Sequence, residues 1–361
     1  MITSLYIHIP FCDHLCTYCD FCKRYTNTKM IEEYLRALEE EVQEKYQEEE
    51  LKTIYIGGGT PSSLDVKSLV KLLSITKKFN KTKDCEFTIE VNPENVTEEK
   101  LKLFKEYGIN RLSVGIESTQ DKFLKYLGRH HDFALVKKKI ALIKKYFNNI
   151  SVDLIYAIPN ETLDDLQKDL DNILSLGINH LSTYSLEIHE HTFLGIKKEK
   201  NIVEDLDSDM YYFICTYLKE KHFKHYEISN FCQDNKYSRH NLVYWHNEEY
   251  YGFGLGASGY VNGIRYTNTR SLINYKKKKR ILEEEKISLK DQKIYELILG
   301  FRLVDGINKR NFYDKYQKKL INEPHIKELI EKGLLIDDSE NIKVSYDKLY
   351  IENSILENFV E

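Results

Sequence analysis

Four cysteines crowd into eleven residues near the start of the chain: Cys12, Cys16, Cys19 and Cys22, in the run CDHLCTYCDFC. Thiolates are soft ligands suited to zinc or iron–sulfur clusters. Cys12, Cys16 and Cys19 have the spacing C-x3-C-x2-C. Three protein ligands on a four-iron cluster leave one iron open, which a catalytic metal requires. The alternative is a zinc knot on all four thiols, although such knots favour two C-x2-C pairs separated by a longer loop. Two further sets of residues could do chemistry. Glu90 is a carboxylate among Phe87, Ile89 and Val91, costly to bury unless paired, and a salt bridge to a barrel lysine or arginine would suffice. His240, Asn241, Tyr244 and Trp245 form H-N-x-x-Y-W around the only tryptophan. Imidazole is a common axial haem ligand and aromatic faces suit a porphyrin plane. An aromatic core around a hydrogen-bonded histidine is the ordinary alternative.

These residues need a scaffold, and the first two hundred residues supply a regular one. Short β-rich runs occur at Leu5–Ile9, Thr53–Ile56, Phe87–Val91, Arg111–Ile116, Val152–Tyr156 and Leu181–Leu186, with helical patterns between them. Thr162 and Asp165 have the spacing of a capping box. The segments YGINRLS (107–113) and LGINHLS (176–182) resemble each other. Gly108 and Gly177 fall where a helix ends and a strand follows, so they read as left-handed C′ residues. Six βα units in series predict an α/β fold, a partial (β/α)6 TIM-like barrel, with its chemistry at the C-terminal ends of the strands. The expected organisation is a barrel over 1–200, a Tyr- and His-rich extension over 201–280 and a small α+β, winged-helix-like domain over 281–361. The KKKKR run at 276–280 reads as a solvated linker.

Composition narrows the function. The 361 residues are 42% apolar and 30% charged, with a net charge of −4, as in a soluble globular protein. From Ile281 to Glu361 there are 13 basic and 17 acidic residues, the wrong sign for a phosphate-binding surface, so no nucleic-acid partner is expected. The start of the chain has no signal-peptide pattern and no run is long enough to span a bilayer. The expected compartment is the cytoplasm, where crowded thiols stay reduced and bind metal.

The cysteine spacing after a first strand resembles the radical S-adenosylmethionine (SAM) superfamily. Within it, YIHIPFCDHLCTYCDF resembles the oxygen-independent coproporphyrinogen III oxidase group. The likeness continues through GGGTPS (57–62), IEVNPE (89–94), LSVGIES (112–118), LGRHH (127–131), VDLIYAIP (152–159), YEISNF (226–231), RHNLVYW (239–245) and GFGLGA (252–257). It implies a [4Fe-4S] cluster on Cys12, Cys16 and Cys19, with SAM chelated to the fourth iron. It also implies SAM contacts at Tyr6, Tyr18, Gly58, Gly59, Thr60, Glu90, Glu117, Arg129 and Asp153. Glu117, Arg129 and Asp153 match positions that hold SAM or a second SAM in the oxidase, whose pattern has glutamine where this chain has Glu117.

H-N-x-x-Y-W resembles the haem motif of HemW-type haem chaperones. That sets two activities against each other: radical decarboxylation of coproporphyrinogen III propionates, or carriage of haem to acceptor proteins. Three features favour the carrier. Phe21 stands where the oxidase has a fourth cysteine, a first strand expected from about residue 4 leaves no counterpart of the oxidase's long N-terminal extension to be expected, and the haem motif at His240, Asn241, Tyr244 and Trp245 is present. Cys22 is expected as a neighbouring thiol outside the cluster, and Cys85, Cys215 and Cys232 as buried or idle. A homodimer held by the cluster or by haem is compatible with the sequence, although no interface stripe is legible.

Overall fold

A computed structural model describes residues 2–360. The six β-rich runs form strands β1 (Ser4–Ile9), β2 (Leu51–Gly58), β3 (Lys81–Val91), β4 (Arg111–Glu117), β5 (Ile150–Tyr156) and β6 (His180–Ser185). Each pairs in parallel with the next in chain order. Parallel strands are covered on both faces and so run apolar rather than alternating. Leu5, Ile7, Ile9, Ile54, Ile56, Leu112, Val114, Val152 and Leu154 are accordingly fully buried.

The two similar segments do the same work. Gly108 and Gly177 both have positive φ, +86° and +60°, just after the helices Glu98–Glu106 and Leu163–Ser175. The asparagine two residues on then pins the neighbouring strand. Asn110 Oδ1 accepts from Phe87 N at 2.9 Å and its Nδ2 donates to Cys85 O at 2.7 Å. Asn179 Oδ1 accepts from Ile150 N at 3.2 Å and its Nδ2 donates to Asn148 O at 2.7 Å. The capping box of Thr162 and Asp165 is formed in full.

Two expectations need correcting. A seventh strand, Tyr251–Phe253, pairs in parallel with the other side of β1. The chain therefore divides into two compact units, one running through Asp207 and resuming at Glu249–Lys286, the other made of Ser208–Glu248 and Ile287–Glu361. The 201–280 segment is shared between them, so the boundaries 1–200, 201–280 and 281–361 do not describe the packing. Nor is the basic run a solvated linker. Lys276 Nζ lies 2.5 Å from Glu33 and Lys278 Nζ 2.6 Å from Glu44, while buried Arg280 also pairs with Glu44. Glu33, Glu40 and Glu44 form an acidic face on the helix Thr28–Lys45, and the run closes onto it.

The second unit holds an antiparallel hairpin, Lys224–Glu227 with Asn230–Cys232, and the helix Arg239–Trp245. Its C-terminal part runs helix Leu289–Gly300, strand Ile307–Asn308, helices Lys309–Tyr316 and Ile326–Glu331, then the hairpin Leu335–Asp337 and Asn341–Val344. Strand Ile307–Asn308 pairs with Asn341–Val344, which is the winged-helix-like arrangement expected.

Candidate functional site

The cysteine loop leaves the C-terminal end of β1. Its two ends are stitched together where Phe11–Cys12 pairs with Arg24–Tyr25. Its middle is held at Thr17, whose N donates to Leu127 O at 3.1 Å and whose Oγ1 donates to Tyr126 O at 2.8 Å, while its O accepts from Leu194 N at 3.1 Å. All the cysteines are free thiols; Cys12 is buried, Cys16 and Cys19 half-buried. Thr60 Oγ1 donates to Cys12 Sγ and Arg129 Nη1 to Cys16 Sγ, both at 3.6 Å. A Cβ on Gly59 would stand 2.9 Å from Cys12 Sγ and from the carbonyl oxygens of Ile9 and Phe11, so only glycine fits this cradle.

Cys22 stands apart from the other three. Burial pushes the Cys12 and Cys19 thiols up, and both also feel Cys16. The charged neighbours of Cys22 are instead Arg270 and Arg24, and its side chain abuts Gly256. Among the described residues no three His, Cys, Asp or Glu side chains converge as on a single metal ion. The donor set of three unbridged thiols, two with N–H or O–H donors on their sulfurs, is chemically suited to an iron–sulfur cluster, whose properties such hydrogen bonds tune.

Beside this loop lies a group of buried acids. Glu90 accepts from Tyr55 OH at 2.8 Å and from Gly58 N at 2.9 Å. Among the described residues no lysine or arginine pairs with it, so the structural alternative of a salt bridge does not describe its setting. Burial pushes its carboxyl up to about 7, with Asp153 adding to the effect. Burial likewise raises Glu117 to about 7, against the pull of Arg129, whose Nη1 is 3.9 Å away. Asp153 is raised to about 6, again by burial first. Tyr18 hydrogen-bonds Glu117, and the Tyr6 hydroxyl meets His8 Nδ1 at 3.0 Å. The fold thus gathers Tyr6, Tyr18, Gly58, Gly59, Thr60, Glu90, Glu117, Arg129 and Asp153 around the cysteine loop. Three buried carboxylates, Glu90, Glu117 and Asp153, against two arginines, Arg129 and Arg111, leave the site short of positive charge, and that favours a cationic ligand.

Sequence reasoning missed Asn92, Tyr55 and His8. Asn92 Oδ1 accepts from Arg129 Nη2 at 3.0 Å, and its Nδ2 donates to Thr60 Oγ1 at 3.3 Å, linking two of the candidates. A signal existed: Asn92 lies inside the NPE motif directly after β3. His8 and Tyr55 carried no local mark, because their roles arise only across strands.

The H-N-x-x-Y-W helix, Arg239–Trp245, belongs to the second unit and is capped by Ser238 Oγ on Asn241 N at 3.4 Å. His240 is 1% exposed and its Nε2 is engaged by Tyr244 OH at 2.7 Å. Trp245 has the Arg302 guanidinium 5.8 Å from its ring centre. Its indole N–H is buried without an acceptor among the described residues.

The radical SAM superfamily model matches residues 6–173. The chain is 38% identical to a haem chaperone HemW of Lactococcus lactis, over 99% of this chain and 97% of that protein. It is 35% identical to a haem chaperone HemW of Bacillus subtilis, over 99% of each. Its fold is similar to the Escherichia coli coproporphyrinogen III oxidase HemN, described as a radical SAM enzyme. The TM-score is 0.87 at 19% identity, over 99% of this chain and 90% of that one.

Proposed function

We propose that this chain, which belongs to the HemW family of the radical SAM superfamily, binds haem and passes it to haem-accepting proteins. The observation that carries this reading is end-to-end likeness to two haem chaperones at 35–38% identity. Phe21 supports it: where an oxidase-type fourth cysteine would stand there is an exposed ring, 64% accessible.

Membership of the superfamily implies a [4Fe-4S] cluster and SAM, which together would supply one-electron chemistry at the open iron. In our reading Cys12, Cys16 and Cys19 are the cluster ligands and Cys22 is not. Thr60 and Arg129 donate to the ligand sulfurs. Glu90, fixed by Tyr55 and Gly58, would contact SAM, while Glu117, Arg129 and Asp153 would set the charge of the pocket and Tyr6 and Tyr18 would flank it. The helix bearing His240, Asn241, Tyr244 and Trp245 is the haem-contacting element. His240 Nε2 would have to give up Tyr244 to meet an iron. No helix among the described residues is long and apolar enough to cross a membrane, in keeping with a cytoplasmic carrier.

The test is anaerobic incubation of the cluster-reconstituted chain with SAM, a reductant and coproporphyrinogen III. A carrier forms no protoporphyrinogen, whereas stoichiometric or catalytic formation would make the chain an oxidase.

A further inference from the structure

Residues Ile281 to Glu361 carry 13 basic against 17 acidic side chains, yet one surface of the second unit reverses that sign. A cleft of about 690 Å³ opens between the helix Leu289–Gly300 and the segment that follows the helix Lys309–Tyr316. Four lysines line it, Lys290 and Lys293 on the helix and Lys318 and Lys319 on the segment, against one carboxylate, Glu323. Glu323 is buried and already engaged by Lys293 Nζ at 3.0 Å. His325, on the same wall, faces Glu328 at 3.5 Å. Lys290, Lys318 and Lys319 are exposed and make no ion pair among the described residues.

Between these lysines the wall is apolar. Ile294 and Leu297 lie one and two turns along the helix from Lys290, on the same face. Tyr313 and Phe359 complete it. Tyr313 is exposed, as is Leu289 beside Lys290.

This layout is that of a protein interface rather than a small-molecule pocket. A small-ligand site orients its guest with a few polar groups set inside the cavity. Here, among the described residues, no buried polar side-chain atom of the wall lacks a partner. The unpaired charges stand at the rim around an apolar centre, as in interfaces where charge selects the partner and apolar contacts hold it.

We propose that this cleft docks an acidic segment of a partner protein, which seats apolar side chains against Ile294, Leu297 and Tyr313 and sets carboxylates against Lys290, Lys318 and Lys319. Under the haem-carrier reading, on which this last step rests, the partner is a haem acceptor. An acidic amphipathic helix presents both features along one face.

The test is the fluorescence anisotropy of a labelled amphipathic helical peptide, with leucine at i, i+3, i+4 and i+7 and glutamate elsewhere, titrated with the full-length chain. Binding is expected, and it should weaken as salt rises. Lys290→Glu, Lys318→Glu and Lys319→Glu combined should weaken it about tenfold or more, whereas Lys290→Arg, Lys318→Arg and Lys319→Arg combined should retain it. A peptide with serine in place of leucine should bind about tenfold more weakly than its parent. No binding to the wild type, equal binding by the charge-reversed chain, or a serine peptide as tight as its parent would overturn the docking site. Tighter binding of citrate than of the peptide would make the cleft a small-anion site and overturn it too. All of these outcomes leave haem carriage intact, because wild-type and charge-reversed chains should load haemin alike by their Soret bands. Failure of the wild type to take up haemin would overturn the carrier reading, and with it the acceptor as the partner.

Discussion

Arg129 bridges the cysteine loop to the barrel: its Nη1 donates to Cys16 Sγ at 3.6 Å, while its Nη2 donates to Gly115 O at 2.5 Å and Asn92 Oδ1 at 3.0 Å. The guanidinium is buried, and Glu117 beside it keeps it charged. A positive charge and an N–H donor at a ligand sulfur both favour the reduced cluster. Arg129→Met should therefore lower the cluster's reduction potential by roughly tens of millivolts, measured by redox titration of the reconstituted protein. An unchanged potential would detach Arg129 from the cluster.

The ligand set makes a sharper prediction. Cys12→Ser, Cys16→Ser and Cys19→Ser should each lose the broad iron–sulfur absorbance after anaerobic reconstitution, and Cys22→Ser should keep it. Gly59→Ala should lose it as well, because its Cβ would stand 2.9 Å from Cys12 Sγ and from two carbonyl oxygens. Gly108→Ala meets nothing within 4 Å. It should keep the cluster and cost only the left-handed backbone penalty of roughly 1–2 kcal/mol. Equal behaviour of the two glycine variants would refute the cradle.

The buried acids predict a pH dependence. Glu90 and Glu117 are raised to about 7 and Asp153 to about 6 in the folded chain, against roughly 4 when unfolded. The native state therefore holds more protons across this window. Stability from these groups is full below the unfolded values and is lost as pH rises through the folded ones. Urea midpoints of the ligand-free chain should fall between pH 5 and pH 8, and Glu90→Gln should flatten part of that slope. A wild-type and a Glu90→Gln profile of equal slope would contradict it. Cationic SAM should also release protons on binding near pH 7, visible as buffer-dependent calorimetric heats.

The basic run gives a stability test. Arg280 is 5% exposed and pairs with Glu44 and Glu40, which are about two-fifths exposed. That setting lies between a surface pair and a buried one, so Arg280→Ala should cost on the order of 1–2 kcal/mol. Lys279→Ala, with no ion pair among the described residues, should cost nothing measurable in the same thermal melts.

Local pattern carried much of this architecture. All six strands were visible as β-rich runs, because strands buried on both faces must be apolar along their length. The two glycine turns and the capping box were visible because each is built from residues adjacent in the chain. What escaped was non-local. Tyr251–Phe253 is three residues long and owes its strand state to β1. The Lys276–Arg280 run looks solvated until the acidic face of Thr28–Lys45 meets it. In the candidate site the cysteine spacing was legible at once. The settings of Glu90 and His240 were not, since Tyr55 and the Gly58 amide decide the first and the Tyr244 hydroxyl the second.

Haem carriage is tested most directly by transfer. Haemin-loaded, cluster-reconstituted chain is mixed with a haem-free b-type cytochrome, and the Soret band is followed as it moves to the acceptor. The account predicts saturable loading of the chain, followed by passage of the haem to the cytochrome. Haemin that never binds, or that stays on the chain while the acceptor remains empty, would contradict it.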